Sequence, residues 1–146
     1  MLKQITVFIE NKPGRLADVT ACLADENINL HALSVADTTD FGILRIIVSD
    51  PDRAKKVLRE KGYMVKAAEV AAVAMGNTPG CLSKVLRELE TLNISIEYMY
   101  AFAGSYKGYD AIVIFRPDNL DAALLKLEGS SLTILDQDIL DRLNEA

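Results

Sequence analysis

A single histidine, His31, and two cysteines, Cys22 and Cys81, are the only imidazole and thiol groups in the 146-residue chain. The cysteines form no CxxC pair and no Cys/His spacing, so no metal site is expected. Both fall in helical patterns and read as buried or half-buried thiols. No serine or cysteine stands beside the histidine. No carboxylates pair at motif spacing, and no glycine-rich phosphate loop leads into a helix with lysine. The chain therefore offers neither a catalytic constellation nor a cofactor site. Long apolar runs are missing too: no stretch of about 18 apolar residues is available to span a bilayer. The opening MLKQITVFIENKPG lacks the apolar segment of a secretory signal. Lysine and arginine are scattered and the net charge is −5, which disfavours nucleic acid and a membrane surface as partners. A soluble cytoplasmic protein is expected. Half of the residues are hydrophobic and a quarter charged, enough apolar material for a folded core.

What the chain does have is a repeat. NKPGRL at residues 11–16 returns as NTPGCL at residues 77–82. At this offset Asn11, Pro13, Gly14, Leu16, Val19, Leu23, Asn27 and Ile28 meet Asn77, Pro79, Gly80, Leu82, Val85, Leu89, Asn93 and Ile94 without a gap. Allowing a one-residue insertion, Gly62 meets Gly129. The period is too long for a solenoid unit and suits a small domain. Two modules are expected, residues 1–70 and 71–146, with no flexible linker between them.

Both modules read as strand, helix, strand, strand, helix, strand. Ile5, Val7 and Ile9 alternate with polar residues, the pattern of a half-buried strand. Pro13 suits a first helical turn. Leu16, Val19 and Leu23 give the following helix one buried face. Residues 28–35 and 41–49 are two further strands. Asp50 or Asp52 caps a second helix, Gly62 stops it, and residues 63–70 form the fourth strand. The second module gives strands at 71–76, 94–102, 109–117 and 131–135, with helices at 79–92 and 119–128. Ile139, Leu140 and Leu143 add a short amphipathic helix. The expected fold class is α+β: two tandem ferredoxin-like βαββαβ sandwiches, each an antiparallel sheet with its helices on one face. Tyr98, Tyr100 and Phe102 alternate and so share a face. Residues 111–115, AIVIF, are apolar on both faces. That predicts a covered sheet and hence a homo-oligomer, in the simplest case a dimer.

The repeated loop has its own chemistry. A helix start presents unpaired N–H groups and the positive end of the helix dipole, and Gly14 lets a ligand approach the backbone. The N–H groups of Gly14, Arg15 and Leu16 can thus hold a carboxylate. Pro13 fixes the entry angle. Asn11 and Asn29 each carry donors and acceptors for an ammonium or a carboxylate. The same letters also make a good strand-to-helix turn with no ligand at all.

A strand ending in Asn-x-Pro-Gly-x-Leu, then a helix, then Asn-Ile at the next strand, resembles the ACT domain, a regulatory amino-acid-binding module. Both copies carry the pattern, so the resemblance covers nearly the whole chain and leaves no room for a catalytic domain. It implies a non-enzymatic sensor. A free amino acid binds near the strand–helix loop, close to an interface between ACT units, and alters a metabolic enzyme or regulator. The ligand residues so implied are Asn11, Pro13, Gly14, Arg15, Leu16, Asn29 and His31 in the first copy. In the second they are Asn77, Gly80, Cys81, Leu82 and Ser95. Arg15 faces Cys81, Asn29 faces Ser95 and His31 faces Glu97, so the first copy has the richer polar set and is expected to be the principal site. His31 is expected at a pocket or at the surface. Two alternatives stay open: a ligand-free interaction subunit, and a small ferredoxin-like hydrolase of acyl phosphates using Arg15 and Asn29.

Overall fold

The computed structural model describes residues 2–37, 41–102, 108–130 and 132–144. The chain divides into two compact units, Lys3–Ala68 and Glu69–Ala146 with Met1–Leu2. The first unit is built from β1 (Leu2–Glu10), α1 (Arg15–Asp25), β2 (Leu30–Asp37), β3 (Phe41–Val48), α2 (Pro51–Glu60) and the start of β4 (Met64–Met75). Its strand order is β2-β3-β1-β4, antiparallel where β3 meets β1 and β2. Register places Ile5 opposite Ile46 and Val7 opposite Leu44. These side chains pack with Val19 and Leu23 of α1 and with Ala54 and Leu58 of α2 in one buried cluster.

The second unit takes the rest of β4, then α3 (Cys81–Glu90), β5 (Ile96–Ala101), β6 (Ala111–Pro117), α4 (Leu120–Glu128), β7 (Thr133–Ile134) and α5 (Gln137–Asn144). Its order is β7-β4-β6-β5. Ala71 and Val73 oppose Phe115 and Val113, and the core joins Val85 and Leu89 of α3 to Ala123 and Leu127 of α4. Each unit is thus a βαββαβ sandwich with its helices on one face, as the sequence predicts.

Backbone geometry explains most of the repeated letters. Lys12-Pro13-Gly14-Arg15 is a type II turn. Proline holds the second position, Gly14 takes φ 86° and ψ −16°, and Arg15 N–H donates to Lys12 O at 3.3 Å. Thr78-Pro79-Gly80-Cys81 repeats it, with Gly80 at φ 92° and Cys81 N–H donating to Thr78 O at 3.2 Å. Asn27 and Asn93 are left-handed as well, at φ 56° and 55°. They end α1 and α3 in Schellman turns. Ile28 N–H donates to Leu23 O at 2.9 Å, and Ile94 N–H to Leu89 O at 3.2 Å. Asn27 also donates to Ala24 O, and Asn93 to Glu90 O, both at 2.9 Å.

Several expectations change. The strands expected at 63–70 and 71–76 are one continuous strand, β4, because MVKAAEVAAVAM contains no glycine, proline or asparagine to turn the chain. Val19 and Leu23 are buried, but Leu16 is 37% exposed, and so is its counterpart Leu82. Gly62 does end α2, at φ 90° in a Schellman turn, whereas Gly129 at the end of α4 is right-handed, at φ −77°. The glycines match in letters only. Asp50 and Asn119 show the true alignment there, since each caps a helix by accepting an N–H three residues on. The offset has therefore grown from 66 at Asn27/Asn93 to 69 at Asp50/Asn119; residues 38–40 and 103–107, which fall within these intervals, lie outside the described residues. Ser131 of the last expected strand and Leu143's side chain also lie outside them. Ile112 and Ile114 of the doubly apolar run are 4% and 0% exposed in the chain alone. Their burial removes the reason they offered for an oligomer.

The left-handed positions make a direct prediction. A β-carbon at Gly14 or Gly80 meets nothing within 4 Å, so alanine there costs only backbone strain, about 1–2 kcal/mol per site. Asn27→Ala and Asn93→Ala should cost a similar amount, while glycine at either asparagine should leave stability within about 0.5 kcal/mol of wild type. Urea denaturation of the six variants checks this.

Candidate functional site

The loop that enters α1 is exposed throughout. Asn11, Lys12, Pro13, Gly14, Arg15 and Leu16 all face solvent. The Arg15 N–H expected to hold a ligand carboxylate is taken up by the type II turn, because that turn closes through its fourth residue. Charged side chains surround the turn instead. Lys12 Nζ lies 3.0 Å from Glu10 Oε2, and Arg15 reaches Asp18 at 3.8 Å. The hydrogen bond and charge of Lys12, with help from Arg15, hold the Glu10 carboxyl below its ordinary value of 4.5.

Beside this loop the first unit has a groove of about 350 Å³. Phe8, Ile9 and Glu10 reach it from the end of β1, and Arg15 from the start of α1. Phe41 lines it from β3, and the turn that ends α2 contributes Lys61, Gly62 and Tyr63, followed by Met64 of β4. Burial, with Asp18 and Cys22 nearby, pushes the Tyr63 hydroxyl up from its ordinary value. Of the first copy's expected ligand residues only Arg15 lines this groove. Glu10, Lys61, Tyr63 and Met64 were not singled out in the sequence. Glu10 precedes the repeated letters and Lys12 stands among them without being repeated, and Lys61 and Tyr63 arrive from a distant part of the chain that carries no local signal.

The second copy's loop has the same backbone and different chemistry. Gly76, Thr78 and Cys81 stand where Glu10, Lys12 and Arg15 stand. Thr78 Oγ1 lies 3.0 Å from Cys81 Sγ. This contact, the Thr78 backbone and the Lys84 charge lower the thiol's pKa. Asn77, Gly80 and Leu82 are exposed like their counterparts. Cys22 and Cys81 are both free and half-buried.

Asn29 and His31 are not brought to the loop of their own unit. Asn29 follows the far end of α1, whose 11 residues span about 16 Å at 1.5 Å each. Its backbone is tied to Ser49, which donates to Asn29 O at 3.0 Å, and Ser95 is tied to Asp118 in the same way. Within one unit, Asn29 and Gly14 cannot touch the same small ligand. His31 is fully buried, 0% exposed, which corrects the surface position allowed for it. It sits at a β-bulge between Leu30 and Ala32, and Glu97 sits at the equivalent bulge between Ile96 and Tyr98. Glu97 is exposed and pairs with Arg116 at 3.3 Å. Tyr98 and Tyr100 do share a face, with ring centroids 6.5 Å apart. Among the described residues no helix is long and apolar enough to cross a membrane.

Comparison with solved structures returns protein BT0572 from Bacteroides thetaiotaomicron, with 44% identity over 97% of this chain and 96% of that one, and a TM-score of 0.89. The ligand-free regulatory subunit of aspartate kinase from Thermus thermophilus shares the fold, with 22% identity over 86% of this chain and 90% of that one, at a TM-score of 0.61. The regulatory subunit of aspartate kinase from Thermus flavus matches similarly, at 19% identity over 85% and 88%, with a TM-score of 0.58. No curated protein matches the chain. A family model described as an ACT domain pair matches residues 1–142, and the chain accordingly belongs to the ACT domain pair family.

Proposed function

We propose that the protein is a non-enzymatic regulatory subunit that senses a free amino acid at the β1–α1 end of its first unit and passes the signal to a metabolic enzyme or regulator. One observation carries this reading. The turn accounts for Pro13 and Gly14, the core for Val19 and Leu23, and the helix stop for Asn27 and Ile28. Asn11 and Leu16 are repeated equally faithfully, yet both are exposed in both copies and neither belongs to the buried clusters that hold the sheets to the helices. A ligand or partner surface gives them a purpose. The charged set Glu10, Lys12 and Arg15 occurs only beside the first loop, which favours that loop as the principal site for a zwitterion.

The regulated partner is proposed by analogy with the aspartate kinase regulatory subunits that share the fold. A homodimer belongs to the same reading. Asn29 can join a Gly14 loop only from another module, and a second copy of the chain supplies one. Leu33 and Val35, on the edge strand β2 of the first unit, are 42% and 44% exposed and offer the contact. Sedimentation velocity at micromolar concentration should show a dimer, with Leu33→Lys/Val35→Lys shifting it to monomer. A wild-type monomer with and without ligand would remove this element.

The binding test is a thermal-shift screen of the full chain against the twenty amino acids, followed by calorimetry. Ligand at about 100 times its Kd should add about 2.7 kcal/mol of stability. Asn11→Ala should weaken binding by about 1.5–3 kcal/mol, the range for a hydrogen bond to a charged group. Asn77→Ala should change it little. Both side chains are exposed, so folding is not the confounder that it is at the strained glycines.

The pH dependence of binding follows from Glu10. Its folded pKa is depressed, so the carboxylate stays charged below the ordinary 4.5. If it holds the ligand ammonium, affinity should be level from pH 7 to pH 5 and fall only below about 4.5, as protons displace the ammonium. Glu10→Gln should remove that acid-side loss along with part of the affinity at neutral pH.

A further inference from the structure

We propose that the groove of the first unit selects an amino acid with a large apolar side chain, branched aliphatic or aromatic, rather than a small or polar one. This rests on the amino-acid-sensing reading above. The groove, at about 350 Å³, lies at the small end of the roughly 300–1,000 Å³ of ligand pockets, the right order for one amino acid.

Its lining combines two chemistries. Arg15, Lys61 and Tyr63 are polar members of it. Lys61 makes no ion pair with a described residue, and the Arg15–Asp18 contact is long and exposed at 3.8 Å. Exposed pairs of this kind are weak, so both cations are available to a ligand carboxylate. Glu10 is the one carboxylate of the lining and suits the ammonium. Two cations against one carboxylate fit a zwitterion held mainly by its acid group.

The large remaining lining residues are apolar. Phe41 and Met64 stand at 53% and 67% exposure, high values for residues of this size. They begin β3 and β4 at the end of the sheet where the groove opens, and Ile9 and Phe8 add to the apolar lining. An alanine or serine ligand would leave Phe41 and Met64 in water. A leucine or phenylalanine side chain would cover them. A polar or charged side chain would have to give up its own hydration against this surface without a hydrogen-bond partner. The second copy lacks this chemistry, since Gly76 and Cys81 replace Glu10 and Arg15.

Calorimetry of the full chain with L-leucine, L-phenylalanine, L-alanine and L-serine tests the proposal. Leucine or phenylalanine should bind at least about tenfold tighter than alanine, the low end for adding apolar bulk in an apolar site. Phe41→Ala/Met64→Ala should shrink that ratio towards one. Lys61→Met should weaken the apolar ligand and alanine alike, leaving the ratio unchanged. All three side chains are at the surface or rim, and circular dichroism checks that the variants are folded. A tightest ligand that is small or polar overturns the selectivity and leaves the sensing function standing. Tight apolar binding unchanged in both variants places the ligand elsewhere and overturns the groove assignment. Binding of none of the twenty amino acids to the wild-type chain overturns the sensing function itself.

Discussion

A left-handed glycine placed after a proline governs each unit. It turns the chain from strand to helix within four residues, and the turn closes on the N–H of Arg15 or Cys81. The direction in which α1 and α3 leave the sheet follows from it, and with it the side that presents Val19 and Leu23, or Val85 and Leu89, to the strands. A second left-handed residue, Asn27 or Asn93, stops the same helix and delivers Ile28 or Ile94 to the next strand. Each first helix is bracketed by two positive-φ residues. Only glycine and, less readily, asparagine adopt that conformation as single residues without much strain. The repeated sequence is therefore first a record of backbone conformation, and only its remainder is available to function.

Much of this was legible before any coordinates. The alternation of Ile5, Val7 and Ile9, the helical spacing of Val19 and Leu23, and the caps at Asp50 and Gly62 each arise from local physics that a short window contains. The family followed from the Asn-x-Pro-Gly-x-Leu pattern occurring twice. What stayed hidden needed distance or extent. Helical periodicity says which side of α1 holds Leu16, but not that packing stops short of the first turn. The lack of turn formers around residues 70–71 pointed to a direct join of the modules, but not to one unbroken strand running through it. Asn29 stood near the loop in the resemblance, while an 11-residue helix separates the two in space. The groove was invisible for a related reason. Lys61 and Tyr63 meet Arg15 only after the chain has crossed two helices and two strands.

The two copies show how one backbone carries two chemistries. Glu10–Lys12 and Arg15–Asp18 are exposed pairs and contribute little to stability. Their presence beside one turn and absence from the other is not a requirement of folding. In the second copy a β-carbon at Gly76 would come within 3.3 Å of Cys81 Sγ. The thiol, held by Thr78, already fills that space, so a side chain like Glu10 could enter only if Cys81 gave way. Duplication left the geometry intact and let the side chains around it diverge.

The empty space above Gly14 and Gly80 bears on how this sequence can drift. Nothing crowds a β-carbon there, so the constraint is one of torsion alone. Asparagine meets a similar constraint in the same chain at φ 56° and 55°. Evolution away from glycine at these turns is thus steered towards asparagine, then aspartate, and away from alanine or valine. A motif that insists on Pro-Gly will pass over such descendants, whereas Pro followed by Gly, Asn or Asp, spaced thirteen residues before a second left-handed residue, would retrieve them.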